Sequence, residues 1–188
     1  MELGLNHLWP SEVFYGKFDD FELLEKIQNY LLSSFSASSI DVTCSEYSLF
    51  ELEDVVIQKF RKKCLFYFDN YLKMTNIQEP IESFKLKAWT RGFKNKNSSL
   101  LYHNHANSLL SAVFYILIDD FDAKGEIVFH DPRMNANRGY SKGSFKNKFE
   151  NKIFRPKTAD FIIFPSFLYH YVEKNNDSTR ILVSVDLF

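Results

Sequence analysis

The sequence predicts a mainly β fold: helices grouped toward the N-terminus, then a closed or double-sheet β structure of the jelly-roll or barrel kind. Three observations lead there. Apolar residues recur at helical spacing as far as Met74, and after Pro80 the period changes toward two. Eight short runs with strand character follow, separated by Asn, Gly, Pro and Asp. Many short strands behind a helical layer leave edges to protect, and closure or a second sheet protects them.

The elements follow in order. Asp19 and Glu22 resemble a capping box, and Phe21, Leu24, Ile27 and Leu31 then give an amphipathic helix to about Ser33. The Ser-rich stretch 34–43 reads as a loop. Ser48 and Glu51 form a second capping box. Leu52, Val56, Phe60, Cys64, Phe68 and Leu72 place one apolar stripe on a long helix to about Met74. Strands are predicted at Phe84–Ala88, Leu100–His105, Ser108–Ile118, Gly125–His130, Lys152–Arg155, Asp160–Phe164, Leu168–Glu173 and Arg180–Phe188. The chain is expected to be one domain over 1–188, with helical support at about 19–75 and a β core at about 83–188.

Composition narrows the function. Apolar residues make up 45% of the chain and aromatic residues 17%, so it has the material for a packed core. A formal charge of -1 argues against general nucleic-acid binding. The basic clusters at 61–63 and 146–152 read as solvated faces. Cys44 and Cys64 make neither a disulfide framework nor a CxxC metal spacing. The N-terminus does not read as a signal peptide, and no window reaches the roughly 18 apolar residues of a membrane span. A cytoplasmic location is expected.

The histidines carry the chemistry. His103 and His105 lie two apart on a predicted strand, so their side chains share a face, about 7 Å apart at roughly 3.3 Å per residue. His170 lies on a later strand. An HxH pair and a distant histidine occupy one face of a metal octahedron and leave positions open for ligands and oxygen, as in non-haem iron oxygenases. Ten residues after His170 comes Arg180, with the turn-forming "KNNDS" between them. A hairpin there would set Arg180 beside His170 on a neighbouring strand. Its planar fork suits a carboxylate, and a metal with open sites beside such a clamp suits a keto acid.

Several segments resemble the Fe(II)/2-oxoglutarate-dependent oxygenase superfamily of the prolyl-hydroxylase-like kind, and most closely its small bacterial and phage members. "LWPSEVFYGKFDDFELLEKI" is similar to the family's opening strand and helix. "HNHANSLLSAVFYI" is similar to its histidine segment and the following "SGVYYL"-type strand, and "GEIVFHDPR" to its DPR strand. "FIIFPSFLYHYVEKNNDSTRILVSV" resembles its "FPSWLxHxVxPN…RISISF" ending, the most specific of the four. The resemblance implies a double-stranded β-helix with the helices packed on one sheet.

By position, the resemblance implies that His103 and His170 bind Fe(II), and that Arg180 and Tyr115 hold the far carboxylate of 2-oxoglutarate. The family's usual second ligand is the carboxylate of HxD or HxE; here that position is His105. Either the site has three imidazoles, or Asn107 or Asp131 completes it. Asp131 reads better as a structural partner of Arg133 or of a backbone amide in the "HDPR" turn, and His130 as no metal ligand. Leu182 stands where the family has Ser, and Ser184 substitutes only if the register differs. Replacing His105 with Asp would restore the usual triad. The implied activity is that of an enzyme: oxidative decarboxylation of 2-oxoglutarate to succinate coupled to hydroxylation of a peptide, nucleotide or small metabolite. Two alternatives remain at this stage: a three-histidine cupin-like dioxygenase without a keto acid, and an inactive β-helix binding module.

Overall fold

The computed structural model describes residues 10–35, 48–93, 97–119, 124–133, 150–176 and 178–188. The predicted loop at 34–43 and Cys44 fall largely outside them, as does most of the basic cluster at 146–152. Nine strands and two α-helices are present among these residues: β1 (Phe14–Lys17), α1 (Phe21–Phe35), α2 (Val55–Met74), β2 (Leu86–Phe93), β3 (Leu100–His103), β4 (Leu110–Ile118), β5 (Ile127–Phe129), β6 (Lys152–Phe154), β7 (Asp160–Pro165), β8 (His170–Val172) and β9 (Arg180–Leu187). None of the helices is long and apolar enough to cross a membrane.

The strands form two antiparallel sheets. The larger has the order β1-β7-β4-β9-β2 and the smaller β3-β8-β5-β6. From β2 to β5, and again from β6 to β9, consecutive strands alternate between the sheets, as in a double-stranded β-helix. The sequence correctly implies a turn before Arg180 but not its outcome. β8 lies in the small sheet and β9 in the large one, so His170 and Arg180 sit on opposing sheets rather than on the two strands of a hairpin. The connection from Glu173 to Thr179 carries the chain between layers. Within it Asn175 Nδ2 donates to the Ser178 carbonyl at 2.8 Å, and Ser178 Oγ donates to Asn175 Oδ1 at 3.0 Å.

The central strands β4 and β9 are buried on both faces; β4 accordingly reads as a near-continuous apolar run, whereas β9 alternates apolar residues with Arg180, Ser184 and Asp186. One row of β9, Ile181, Val183, Val185 and Leu187, joins Phe114, Ile163, Ile27, Phe60 and Phe68 in a core between sheet and helices. The other row, Arg180, Leu182, Ser184 and Asp186, faces the space between the sheets. There Leu182 packs with Phe93, Val113, Tyr115, Phe129 and Phe164. Each fully buried phenylalanine contributes about 1.5–3 kcal/mol over leaving it in water.

Both helix starts differ from the sequence reading. Leu23 N donates to Asp20 Oδ1 at 3.0 Å, so Asp20 caps α1. Asp19 instead accepts from Tyr67 Oη at 2.6 Å and pairs with Lys63 at 2.7 Å, tying the start of α1 to α2. Asp54 caps α2, accepting from Val56 N at 2.8 Å and Ile57 N at 3.2 Å. Ser48 opens only a short 3-10 turn, Leu49–Glu51, and its Oγ accepts from Ala88 N at 3.2 Å, a tertiary contact that the local pattern does not encode. α2 ends as predicted. Asn76, at φ 59°, takes the left-handed position, and Ile77 N donates to Leu72 O at 2.9 Å.

Candidate metal centre

Pairing of the small sheet assembles the first two histidines. His103, the last residue of β3, lies opposite His170, the first of β8, and their ring centroids are 4.3 Å apart. His105 lies just past the end of β3, where its N–H donates to Ser166 O at 3.1 Å. Its ring lies 5.4 Å from that of His103 and 5.3 Å from that of His170. One ring nitrogen from each of the three lies within 4.8 Å of the others.

Hydrogen bonds at the outer nitrogens decide which way the rings present themselves. His103 Nδ1 is 2.6 Å from Leu101 O, and His170 Nδ1 is 3.0 Å from Leu168 O. A carbonyl only accepts, so both Nδ1 atoms carry the proton and both Nε2 atoms keep a lone pair for a metal. Burial lowers the pKa of both rings, that of His170 to about 3. They are therefore neutral at physiological pH, the form that binds metal. The third ring has a stronger partner: His105 Nδ1 is 2.7 Å from Asp186 Oδ1, with both side chains buried. Asp186 Oδ1 also accepts from Ser111 Oγ at 2.7 Å, and Ser111 Oγ is 2.8 Å from Ser166 Oγ.

Beside the histidine cavity lies a second one, and Tyr115, Val172 and Leu182 line both. Arg180 is at its far end. Its Nη1 donates to the carbonyls of Gly125 and, at 3.0 Å, Lys124, while its Nε is buried without an acceptor. Gly125 makes room for it. At φ +116° the residue has a backbone that L side chains rarely adopt, and a Cβ there would overlap Nη1 and lie 2.9 Å from Cζ. Burial pushes the Tyr115 hydroxyl upward, so it stays a neutral donor.

The structure thus brings together His103, His105 and His170, and sets Arg180 and Tyr115 in the adjoining cavity. The remaining candidates go elsewhere. Asp131 accepts from Arg133 Nε at 2.9 Å and Arg133 N at 3.0 Å, and His130 Nδ1 is 2.9 Å from Asp131 O. Asn107, at φ 65°, sits in the turn before β4. Ser184 lines the histidine cavity, not the one around Arg180. Sequence reasoning missed Asp186, although the period-two row from Arg180 places an aspartate on the same inner face. It also missed Gly125, Trp89 and Arg91.

Two sheets wound into a double-stranded β-helix around three converging imidazoles define a non-haem metal-oxygenase type of protein. The match to a family model narrows this further. Residues 87–186, more than half of the chain, fit the family described as "Putative 2OG-Fe(II) oxygenase", and the chain belongs to that family of enzymes. No curated protein sequence matches it. Among solved structures, the fold is similar to that of the non-heme alpha ketoglutarate dependent epimerase SnoN from nogalamycin biosynthesis, with TM-score 0.65 and 12% identity over 95% of this chain and 78% of that one. It is also similar to a Pseudomonas putida prolyl-4-hydroxylase, with TM-score 0.61 and 10% identity over 93% and 85% of the two chains. For the viral collagen prolyl hydroxylase of Paramecium bursaria Chlorella virus-1 the TM-score is 0.57, at 13% identity over 92% and 94%.

Proposed function

We propose that the chain is an Fe(II)/2-oxoglutarate-dependent hydroxylase in which His103, His105 and His170 hold the iron and Arg180 with Tyr115 holds the far carboxylate of the cosubstrate. We read 1–188 as one such domain, helices supporting the β core. The observation that carries the reading is the pairing of two sites in one interior. Three imidazoles with metal-binding nitrogens free adjoin a buried guanidinium whose Nε lacks an acceptor. Both fit the groups the family uses. The histidine set is right for a divalent iron, and the arginine is a donor-only fork held in a glycine cradle.

When bound, Fe(II) with 2-oxoglutarate and dioxygen would supply the oxidative decarboxylation, in which one oxygen atom goes to succinate, carbon dioxide leaves, and the other oxygen atom goes to a substrate C–H bond. The chain's own residues position and exclude. Leu101 O, Leu168 O and Asp186 orient the three rings. Arg180 neutralises the far carboxylate, and Lys124 O and Gly125 O fix the guanidinium in place. Tyr115, on the wall common to both cavities, adds a donor. Phe129, Phe164 and Leu182 keep water from the space between the sheets. A three-histidine dioxygenase without a keto acid has no use for Arg180.

The test is succinate formation from 2-oxoglutarate with Fe(II) and ascorbate, set beside Arg180→Ala. Turnover in the wild type that is lost in the variant supports the reading. A protein that binds Fe(II) but neither binds nor consumes 2-oxoglutarate overturns it.

A further inference from the structure

We propose that Arg91 is the substrate-binding cation of this site, so that the primary substrate carries a carboxylate. The inference rests on the oxygenase reading above and names the substrate class for it.

Register sets Arg91 inside. On β2, Ala88 packs with the helices, so Trp89, Arg91 and Phe93 face the space between the sheets. Phe93 lies opposite Arg180, Arg91 opposite Leu182 and Trp89 opposite Ser184. Arg91 is therefore one side-chain step nearer the histidine end than the row of Arg180. It lines the cavity of the three imidazoles and is absent from the lining of the Arg180 cavity.

Among the described residues nothing answers its charge. Arg91 is only partly buried, and its guanidinium has no hydrogen-bond or ion-pair partner among the described residues. Arg91 shares its cavity with His103, His105 and His170, so a divalent metal held by the rings would be repelled by the guanidinium, and an anion beside Arg91 would offset the repulsion. A second donor waits in the same wall: Trp89 Nε1, which can only donate, is buried without an acceptor. Guanidinium and indole together call for a group rich in acceptor oxygens and negatively charged.

A carboxylate fits this best. One planar fork with one charge matches two carboxylate oxygens. A dianionic phosphoryl group would need a further cation, and Arg180 is committed to the neighbouring cavity. Such a carboxylate has two sources, the primary substrate or 2-oxoglutarate itself. The position of Arg91, away from Arg180, favours the substrate. The same charge disfavours cationic substrates such as lysine side chains.

The test uses the full chain loaded with Mn(II) and 2-oxoglutarate. Acetate, benzoate and N-acetylglutamate are titrated, each against its neutral amide, by calorimetry and water-proton relaxation. The expected result is at least one acid bound ten-fold or more tighter than its amide. Arg91→Gln abolishes that preference while 2-oxoglutarate affinity stays within two-fold of wild type. Arg91→Lys, which keeps the charge without the fork, retains part of it. Equal binding of every acid and its amide to the wild type overturns the assignment, and so does a preference that survives Arg91→Gln. Loss of 2-oxoglutarate affinity in Arg91→Gln, on the scale of Arg180→Ala, gives the cation to the cosubstrate and also overturns it. Failure of the wild type to bind Mn(II) and 2-oxoglutarate shows up before any acid is added; it removes the oxygenase reading, and the inference falls with it.

Discussion

His105 and Asp186, 81 residues apart in sequence, form a buried pair with Nδ1 and Oδ1 separated by 2.7 Å. The family's usual triad has a carboxylate in contact with the metal. In the site proposed here the carboxylate would stand one residue further out and act through the imidazole. Such a partner orients the ring and strengthens its lone pair. Asp186→Asn should therefore weaken Mn(II) or Co(II) binding by about 10- to 100-fold. It should also shift the Co(II) absorption bands, which a purely architectural role would leave in place. Unchanged affinity and bands would show that Asp186 does not act on the metal through His105.

The same pair alters what the sequence implies for His105→Asp. Alone, that change restores the family's usual triad. In the structure it brings a second carboxylate next to Asp186, where like charges repel. The single variant should bind metal poorly, and His105→Asp with Asp186→Asn should bind it roughly ten-fold tighter, a difference of about 1.4 kcal/mol. Calorimetry on the two variants measures it. Equal affinities would mean that residue 105 does not feel Asp186.

Gly125 offers a way to disturb Arg180 without touching it. A methyl group at residue 125 would overlap the guanidinium and would sit on a backbone at φ +116°. Gly125→Ala should lose 2-oxoglutarate affinity as Arg180→Ala does, and metal binding should survive in both. The double variant should be no worse than either single one, because both remove the same clamp. Additive losses would place Gly125 and Arg180 in separate roles.

The sequence makes the architecture legible because period and punctuation are local signals. Val113 and Tyr115 alternate with Ala112 and Phe114, and Asn and Pro mark the turns. The three histidines and Arg180 are legible from spacing and from the resemblance of the last segment. Three features were not. Strand pairing is non-local, so nothing near Arg180 shows that β8 and β9 belong to different sheets. Cap assignment depends on tertiary competition: Ser48 has the right spacing to Glu51, yet its hydroxyl serves Ala88 on another element. Asp186 and Gly125 matter through residues 81 and 55 positions away, which only the folded chain brings near.

Asp54 rather than Ser48 caps α2, and stability separates the two. Asp54→Ala removes the acceptor for Val56 N and Ile57 N and should cost about 1 kcal/mol. Asp54→Asn should cost much less, since the amide oxygen still accepts. Urea midpoints report both. No loss in Asp54→Ala would mean the helix start is held by other contacts.

The last expectation concerns acid. Burial holds the pKa of His170 near 3 and that of His103 below its ordinary value, whereas an unfolded histidine titrates near roughly 6.5. Between these values the unfolded chain binds more protons than the folded one. Stability of the metal-free protein is therefore complete above about pH 6.5 and falls as pH drops through the window toward 3. At pH 5 the share of His170 in that loss is on the order of 2 kcal/mol, from about 1.5 pH units at 1.36 kcal/mol each. His170→Gln has no proton to take up. Between pH 7.5 and pH 5, with a chelator present, the wild type should lose about 2 kcal/mol more than the variant in urea unfolding. Parallel losses would mean that His170 is protonated as easily in the folded chain as in the unfolded one, and that its ring does not stand neutral and ready for a metal.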